Sequence, residues 1–477
     1  MRSKTNIWLV ILLPLLFTIA SCDRTTDKGA SSQPKSDNGS HNNAETKTGS
    51  NSTAAGHVVF SIDGQFDEWS AIEPVVVDKR GDATGRFDLL SVWAQAADGY
   101  LYLSFELDKG TELNLQNGDR RDGTLKLTIH EGNNSRELDF RRRQITARRA
   151  PQQVIPWGQV DFTCLPTYAS NRYELQIQLA EDSSDIRIEF AGSDSLDSAV
   201  TVPVSSTRNE KAVVSLARHA DTDFRIANLN TLNSGLADAE RSEAIFSLLA
   251  AADADIITMQ EEWDPDSFYG SLRNLAAALG RKKWLHARWS GGCAIISQLP
   301  NEKLDLKLDR AAAGLVELKS GKHVVVISVH FKSGGHVGTD EDDLRTQHAN
   351  QLVGAIERIR NGEFGEEAKD ASVVIVGDYN LVGSRKSVDI LNEAGFQDVM
   401  FKNPVTGTAY TWRDDKTTFP PSRLDWLCQS GAHPLAAIVL NTNTLAEETL
   451  AKHNLERSDS NGTDHLMLIG DFSIENP

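Results

Sequence analysis

Polar side chains directly follow apolar segments at six places in the second half of the chain. The clearest case is Val373–Asn380, where Asp378 and Asn380 come after a run of β-branched residues with one residue between them. At that spacing both side chains can point to the same side of an extended backbone. The other five places are Asn230, Glu261, His330 with Lys332 and Ser333, Arg423 with Asp425, and Asp464 with His465.

The types of these residues indicate chemistry on a phosphate group with the help of a metal ion. Carboxylate and amide oxygens without cysteine suit a hard cation, Mg²⁺ before Zn²⁺ or Ca²⁺. Two histidines at strand ends suit proton transfer and phosphate contact. For Val373–Asn380 by itself a plain strand-to-loop corner is the alternative, because Gly, Asp and Asn are ordinary turn formers.

Regular elements must position these residues, and from about Lys211 onward strand-like and helical segments alternate. This alternation is typical of a layered α/β domain, in which strand ends carry the chemistry. A chain that starts near Lys211 is therefore expected to fold by itself. The predicted strands are Phe224–Leu229, Asp255–Gln260, Cys293–Ser297, His323–Val329, Val373–Val376, Arg423–Cys428 and Leu466–Ile469, and the predicted helices are Ala237–Ala252, Ser267–Leu279, Asp343–Ile359 and Lys386–Ala394.

Residues 57–205 have a different pattern, in which short apolar or alternating runs are separated by turn residues. This pattern predicts an all-β sandwich domain. The segments Ile62–Trp69 and Tyr100–Leu103 resemble carbohydrate-binding modules of the family 9 type, which implies a glycan partner. Tryptophans 69, 93 and 157 could stack on a sugar ring or pack in the core. The predicted strands are His57–Ile62, Leu89–Ala94, Tyr100–Leu107, Leu125–His130, Tyr173–Leu179 and Ile186–Phe190.

The first 56 residues are predicted to be an export signal followed by a tether. Arg2 and Lys4 precede the apolar run Ile7–Ile19, and Ile19–Cys22 resembles a bacterial lipobox. This resemblance implies lipidation of Cys22 and anchoring to a bacterial membrane, on its periplasmic or cell-surface side. A simple cleaved signal is the alternative. Residues 23–56 are almost free of apolar side chains, which is typical of a flexible linker.

The net charge of −18 over 477 residues argues against charge-driven binding to nucleic acid or an anionic membrane. It does not exclude a phosphate substrate, because a metal ion can supply positive charge locally. The 4 cysteines are too few and too scattered for a disulfide framework or a zinc site.

Residues 211–477 resemble the endonuclease/exonuclease/phosphatase superfamily of metal-dependent phosphodiesterases. The motifs that carry the resemblance are Q-E ending at Glu261, G-D-x-N ending at Asn380, R-L-D ending at Asp425 and D-H ending at His465. They imply a four-layered α/β sandwich with two central mixed β-sheets, preceded here by the all-β sandwich. They also imply hydrolysis of phosphate esters.

The resemblance assigns roles to individual residues. Glu261 would hold Mg²⁺, with Mn²⁺ as an alternative cation, Asn230 would lie beside it, and Asp464 would be a further metal or water ligand. Asp378 and Asn380 would position the attacking water and the phosphate.

The remaining roles concern protons and substrate contacts. His465 would be the general acid or base, oriented by Asp425, and His330 would contact the phosphoryl oxygens or assist the leaving group. The family's nucleases that act at abasic sites have a tyrosine shortly after the first histidine, where this chain has Phe, Lys and Ser at residues 331–333. Activity at abasic sites is therefore not expected. The residues expected to contact the substrate are Lys332, Arg345, Arg385 and Arg423.

The leading hypothesis is thus a lipid-anchored phosphoesterase outside the cytoplasm, with no protein partner implied. Its substrate would be nucleic acid, a phospholipid headgroup of the sphingomyelin type, or a small ester. The alternative is a surface glycan-binding lipoprotein whose second domain keeps its shape without turnover.

Overall fold

The computed structural model describes residues 60–110, 112–115, 123–148, 153–180, 184–205, 214–280 and 286–474. The predicted export signal, the lipid site at Cys22 and the linker lie outside these residues. So does most of the predicted domain boundary between residues 205 and 211, of which only residue 205 is described. None of the helices in these ranges has the length and apolar character needed to cross a membrane.

The first described part is a pair of antiparallel sheets that pack face to face. One sheet has the strand order β1-β2-β3-β9-β8 and the other β11-β10-β4-β5-β6-β7. The strands are β1 (Val76–Val77), β2 (Leu89–Ala97), β3 (Tyr100–Leu107), β4 (Leu125–Glu131), β5 (Asn134–Asp139), β6 (Gln144–Ala147), β7 (Gln153–Ile155), β8 (Thr163–Leu165), β9 (Arg172–Gln178), β10 (Ile186–Gly192) and β11 (Val200–Thr201).

Alternating apolar side chains of both sheets form one core in this sandwich. Its tryptophans contribute to packing rather than to an open face. Trp69 and Trp157 are buried, and the indole N–H of Trp69 donates to Glu174 Oε2 at 2.8 Å. Trp93 is half-buried and lies under the guanidinium of Arg172, 4.8 Å from the ring centre.

The second part has two six-stranded mixed sheets, with orders β14-β15-β13-β12-β23-β22 and β16-β17-β18-β19-β21-β20. Within each sheet one pair is parallel, β12 with β13 and β18 with β19. The strands are β12 (Phe224–Asn230), β13 (Ile256–Gln260), β14 (His286–Ser290), β15 (Cys293–Ser297), β16 (Asn301–Lys303), β17 (Ala311–Glu317), β18 (His323–His330), β19 (Ser372–Asp378), β20 (Gln397–Asp398), β21 (Asp425–Ser430), β22 (His433–Leu440) and β23 (Met467–Ser473).

Helices cover the outer face of each sheet, which completes the four predicted layers. In β19, Val374 and Val376 face the core between the sheets, whereas Val373 and Ile375 face the helices. This two-sided burial explains the β-branched run. The helices are α1 (Ser242–Ala252), α2 (Pro265–Ala278), α3 (Asp340–Arg360), α4 (Glu366–Lys369), α5 (Lys386–Glu393) and α6 (Glu447–His453).

Every predicted segment except the first overlaps an observed element, and the largest shift of a start is at the first predicted helix. Residues 60–62 are not a strand; Ile62 instead packs against Leu165 and Ala409. The helix predicted from Ala237 begins at Ser242, because a short 3₁₀ turn occupies Gly235–Ala237.

The sandwich and the α/β part share contacts. Ala409 N–H donates to Ile62 O and Ala169 N–H to Gly383 O, both at 2.9 Å. The Tyr168 ring lies 6.4 Å from that of Trp426. The described residues from Phe60 onward therefore form one compact unit.

Candidate active site

Four strand ends bring the acidic cluster together. Parallel pairing of β12 with β13 places Asn230 beside Gln260, and Glu261 is the next residue. Parallel pairing of β18 with β19 places His330 beside Asp378. The two sheets then meet through Asn230, whose amide donates to Glu261 Oε1 at 3.2 Å and to Asp378 Oδ2 at 3.1 Å.

The donor set of this cluster fits a divalent cation. Ligand atoms of Glu261, His330 and Asp378 lie within 4.8 Å of one another. The two carboxylates supply hard oxygen donors of the kind that Mg²⁺ prefers, and water would complete the shell. The Asn230 amide turns its N–H groups towards them, so it orients the carboxylates. Glu261 and Asp378 would hold the ion, with Asn230 beside them.

Backbone strain accompanies this arrangement. Glu261 and Asn380 have φ of 64° and 47°, in the left-handed region that non-glycine residues rarely adopt. Glu261 is held there by a hydrogen bond from Asn233 N–H to Oε2 at 3.1 Å. Asn380 N–H donates to Asp378 Oδ1 at 2.9 Å, and its side chain donates to Phe331 O. Strain of this kind is concentrated at functional sites.

Asp378 is the most deeply placed carboxyl of the cluster. Burial raises its pKa to about 7, although the charge of His465 acts in the opposite direction. A bound divalent cation would lower this pKa again, because it stabilises the carboxylate.

His465 and Asp425 form a buried pair at the edge of the cluster. His465 Nδ1 lies 2.7 Å from Asp425 Oδ2, and its Nε2 lies 3.7 Å from Asp378 Oδ2. Burial disfavours the imidazolium, but the Asp425 carboxylate outweighs it and raises the pKa of His465 to about 10. Nδ1 is therefore anchored, while Nε2 faces the cluster and can exchange a proton.

His330 has the opposite electrostatic setting. Burial, followed by the charge of Arg310, lowers the pKa of His330 to about 2. One guanidinium nitrogen of Arg310 lies 2.8 Å from His330 Nδ1. His330 is thus neutral, so positive charge for a phosphate at this place would come from Arg310.

Two residues of this site, Arg310 and Asn228, were missing from the sequence predictions. Asn228 Nδ2 donates to Asp425 Oδ1 at 3.3 Å, and Asn228 Oδ1 accepts from Thr258 and Gln260. The signal for Asn228 was its position two residues before Asn230, on the same strand face. Arg310 precedes β17 and gave no comparable signal.

Asp464 lies beside the pair but outside the ligand group of Glu261, His330 and Asp378. Its Oδ2 accepts the Trp412 indole N–H at 2.8 Å. A cavity of about 890 Å³ opens next to it. Its lining surface is about equally polar and apolar, and the polar side chains include Asn441, Asn443, Asn461, Arg413 and Lys416.

The four basic residues predicted to bind the substrate are placed differently from one another. Lys332 is half-buried, two residues after His330. Arg345 is buried and donates to Lys332 O and Gly334 O at 2.9 and 2.7 Å, so it holds this loop. Arg385 and Arg423 line a separate cavity of about 220 Å³ with Thr167 of the sandwich. None of the hydrogen bonds found for Arg345, Arg385 and Arg423 reaches the cluster, and substrate binding by the four stays a prediction.

Comparison with known proteins identifies the family. The model of the Endonuclease/Exonuclease/phosphatase family matches residues 227–465, which include every cluster residue described above. The crystal structure of an AP endonuclease from Leishmania major is similar with a TM-score of 0.36 and 11% identity, covering 56% of this chain and 93% of that one. No curated protein sequence matches the chain. The chain belongs to the endonuclease/exonuclease/phosphatase family and is a hydrolase that acts on phosphate esters.

Proposed function

We propose that this protein hydrolyses phosphodiesters by metal-assisted attack of water, with Mg²⁺ as its cation and Mn²⁺ as a substitute. The observation that carries the proposal is the contact of an anchored histidine with the acidic cluster. His465, fixed by Asp425, presents Nε2 3.7 Å from Asp378 Oδ2. A proton-transfer group and a cation site thus meet at one point.

The chain's own residues divide the work of the reaction. Asp378 and Asn380 orient the water and the phosphate, and Asp425 fixes His465 so that Nε2 moves the proton. Arg310, beside neutral His330, places positive charge near the phosphoryl oxygens. Glu261 and Asp378 would hold a divalent cation, which would offset the negative charge that develops on the phosphate.

The cavity beside Asp464 favours an ester with a polar, hydroxyl-bearing group. Its asparagines and charged side chains can hydrogen-bond such a group, and Leu232 and Leu466 are its only aliphatic lining residues. Nucleotides, phospholipid headgroups and small polar esters share this chemistry.

Export and a lipid anchor at Cys22 are part of the proposal, supported by the lipobox-like sequence alone. Replacing Cys22 with Ser should release the protein from the membrane fraction. Unchanged membrane association would contradict the anchor. A glycan partner of the sandwich would need a surface other than the buried rings of Trp69 and Trp157.

A panel of phosphate esters tests the activity. DNA, RNA, phosphoinositides, sphingomyelin and bis-p-nitrophenyl phosphate are each incubated with Mg²⁺, with EDTA, and with Mg²⁺ restored after EDTA. We expect turnover of a polar ester that EDTA abolishes and Mg²⁺ restores.

Glu261→Gln is the matching variant, because it removes one ligand charge. It should raise the Mg²⁺ concentration that gives half-maximal activity by about 10-fold or more. The control is Glu302→Gln, an exposed carboxyl on β16. Turnover that persists unchanged in EDTA, or an identical Mg²⁺ requirement in both variants, would refute the proposal.

A further inference from the structure

One loop, residues 409–423, lies between the β-sandwich and the Asp425–His465 side of the active site; we call it the bridging loop. On the active-site side, Thr411 Oγ1 accepts the backbone N–H groups of Leu424 and Asp425 at 3.0 and 2.9 Å. Asp464 is held twice, by the indole N–H of Trp412 at 2.8 Å and by Arg413 N–H at 2.9 Å. The loop therefore sets the strand start that bears Asp425 and the side chain of Asp464.

The sandwich contacts this loop at its middle. Gly158 N–H donates to Asp415 Oδ1 at 3.0 Å. The same carboxylate accepts two hydrogen bonds from the Arg413 guanidinium, at 2.8 and 2.7 Å. The backbone N–H of Arg413 also donates to Asp464 O. Gly158 is therefore linked to Asp464 through two residues, Asp415 and Arg413.

Both ends of the loop are attached to the sandwich as well. Ala409 N–H donates to Ile62 O at 2.9 Å, and Arg423 N–H donates to Thr167 Oγ1 at 2.8 Å.

A ring contact adds a further connection. The Arg143 guanidinium lies 5.4 Å from the ring centre of Phe419, which packs edge-on against Trp412 at 5.5 Å. Trp412, which bonds the Asp464 side chain, thus packs against a ring that contacts the sandwich.

We propose that the β-sandwich is a positioning domain that braces the bridging loop, and through it the orientation of Asp425 and Asp464. The inference rests on the proposed function, since it assigns the sandwich a role in that reaction. The proposal rests on the three hydrogen bonds between sandwich and loop, the cation–π contact of Arg143 with Phe419, and the bidentate ion pair of Arg413 with Asp415. Small displacements of a proton-transfer group have large effects on rate, because transfer depends on distance and angle.

Gly158 offers a direct test. A Cβ at this position would overlap with Arg413 Nη2 and Asp415 Oδ2. The backbone of Gly158 does not need a positive φ, so alanine is tolerated there except for this overlap. Gly270→Ala is the matched control, because Gly270 is exposed and nothing lies within 4 Å of its added Cβ.

The full-length protein is compared as wild type, Gly158→Ala, Asp415→Ala, Asp415→Asn and Gly270→Ala. With bis-p-nitrophenyl phosphate and Mg²⁺, Gly158→Ala and Asp415→Ala should lower kcat about 10-fold or more at unchanged KM. Asp415→Asn keeps an acceptor for Gly158 and should retain most of the turnover. The double variant Gly158→Ala/Asp415→Ala should be no slower than Asp415→Ala, because both remove one connection.

Backbone hydrogen exchange of residues 409–425 measures how firmly the sandwich holds the bridging loop, and it does not require turnover. It should be faster in Gly158→Ala and Asp415→Ala and unchanged in Gly270→Ala. Exchange that stays at the wild-type rate in both variants overturns the brace, even if no ester is hydrolysed. Faster exchange with unchanged kcat overturns positioning, and raised KM at unchanged kcat makes Asp415 a substrate contact instead. An inactive wild type with faster exchange in the variants refutes the phosphoesterase proposal and leaves the brace standing.

Discussion

At the scale of single residues, the active site is a set of ionisable groups whose charges are fixed by burial and by one neighbour each. His465 is kept charged by Asp425, whereas His330 is kept neutral by burial and Arg310. Two histidines in one site thus have pKa values on opposite sides of neutrality. Such separation fits the proposed division of roles, in which His465 transfers a proton and His330 contacts the phosphate.

The Asp425–His465 pair predicts losses that do not add. His465→Ala should lower kcat by about 10²–10⁴, the usual effect of removing a positioned acid or base. Asp425→Asn should lower it less, because the imidazole remains but loses its fixed orientation. The double variant should be little slower than His465→Ala, with the Mg²⁺ requirement nearly unchanged in all three.

Kinetics beside thermal melts separate this result from a structural role. If both residues only support their own loops, the rate losses should add and should follow the melting temperatures. Additive losses of that kind would exclude the pair as a catalytic unit.

At the scale of elements, α3 fixes the loop after β18. Arg345 lies in the second turn of α3, pairs with Asp342 at 3.2 Å and donates to two carbonyls of that loop. Both partners of the ion pair are buried. Loss of one partner leaves a buried, unpaired charge, which is strongly destabilising.

Arg345→Met should therefore lower the free energy of unfolding by about 3–5 kcal/mol. The control is Lys369→Met in α4, where the exposed ion pair with Glu366 should leave the free energy of unfolding almost unchanged. Denaturant titrations of both variants measure the difference. Equal losses would show that Arg345 does not anchor the loop.

At the scale of the whole molecule, the sandwich and the α/β part share apolar packing as well as hydrogen bonds. Ile62 and Leu165 of the sandwich pack against Ala409 with Met400 beside them. Asp63 also forms an ion pair with Lys402. These contacts act against the independent folding that the composition shift near Lys211 predicts.

Calorimetry distinguishes the two cases. We expect one unfolding transition for the wild type, because the shared contacts couple the two parts. Ile62→Asp would place an unpaired charge in this packing and should split the transition into two. Two transitions in the wild type would instead favour a separable catalytic part.

The layers and most of the cluster follow from local patterns along the chain. The β-branched run of β19 identified a strand buried on both faces, and period-two runs identified the sandwich. Residues at strand ends, such as Asp378 and His330, could be grouped because parallel neighbours place their carboxyl ends at one edge. These are local signals, read from a few adjacent side chains.

Other features were set only by tertiary packing. Edge strands such as β14 and β22 depend on a partner strand rather than on a strong pattern of their own. Arg310 and Trp412 enter the site because distant segments fold against β18 and β23, and Gly158 reaches Asp415 across 257 positions of sequence. The opposite pKa shifts of the two histidines likewise follow from burial and neighbours, which a linear sequence does not specify.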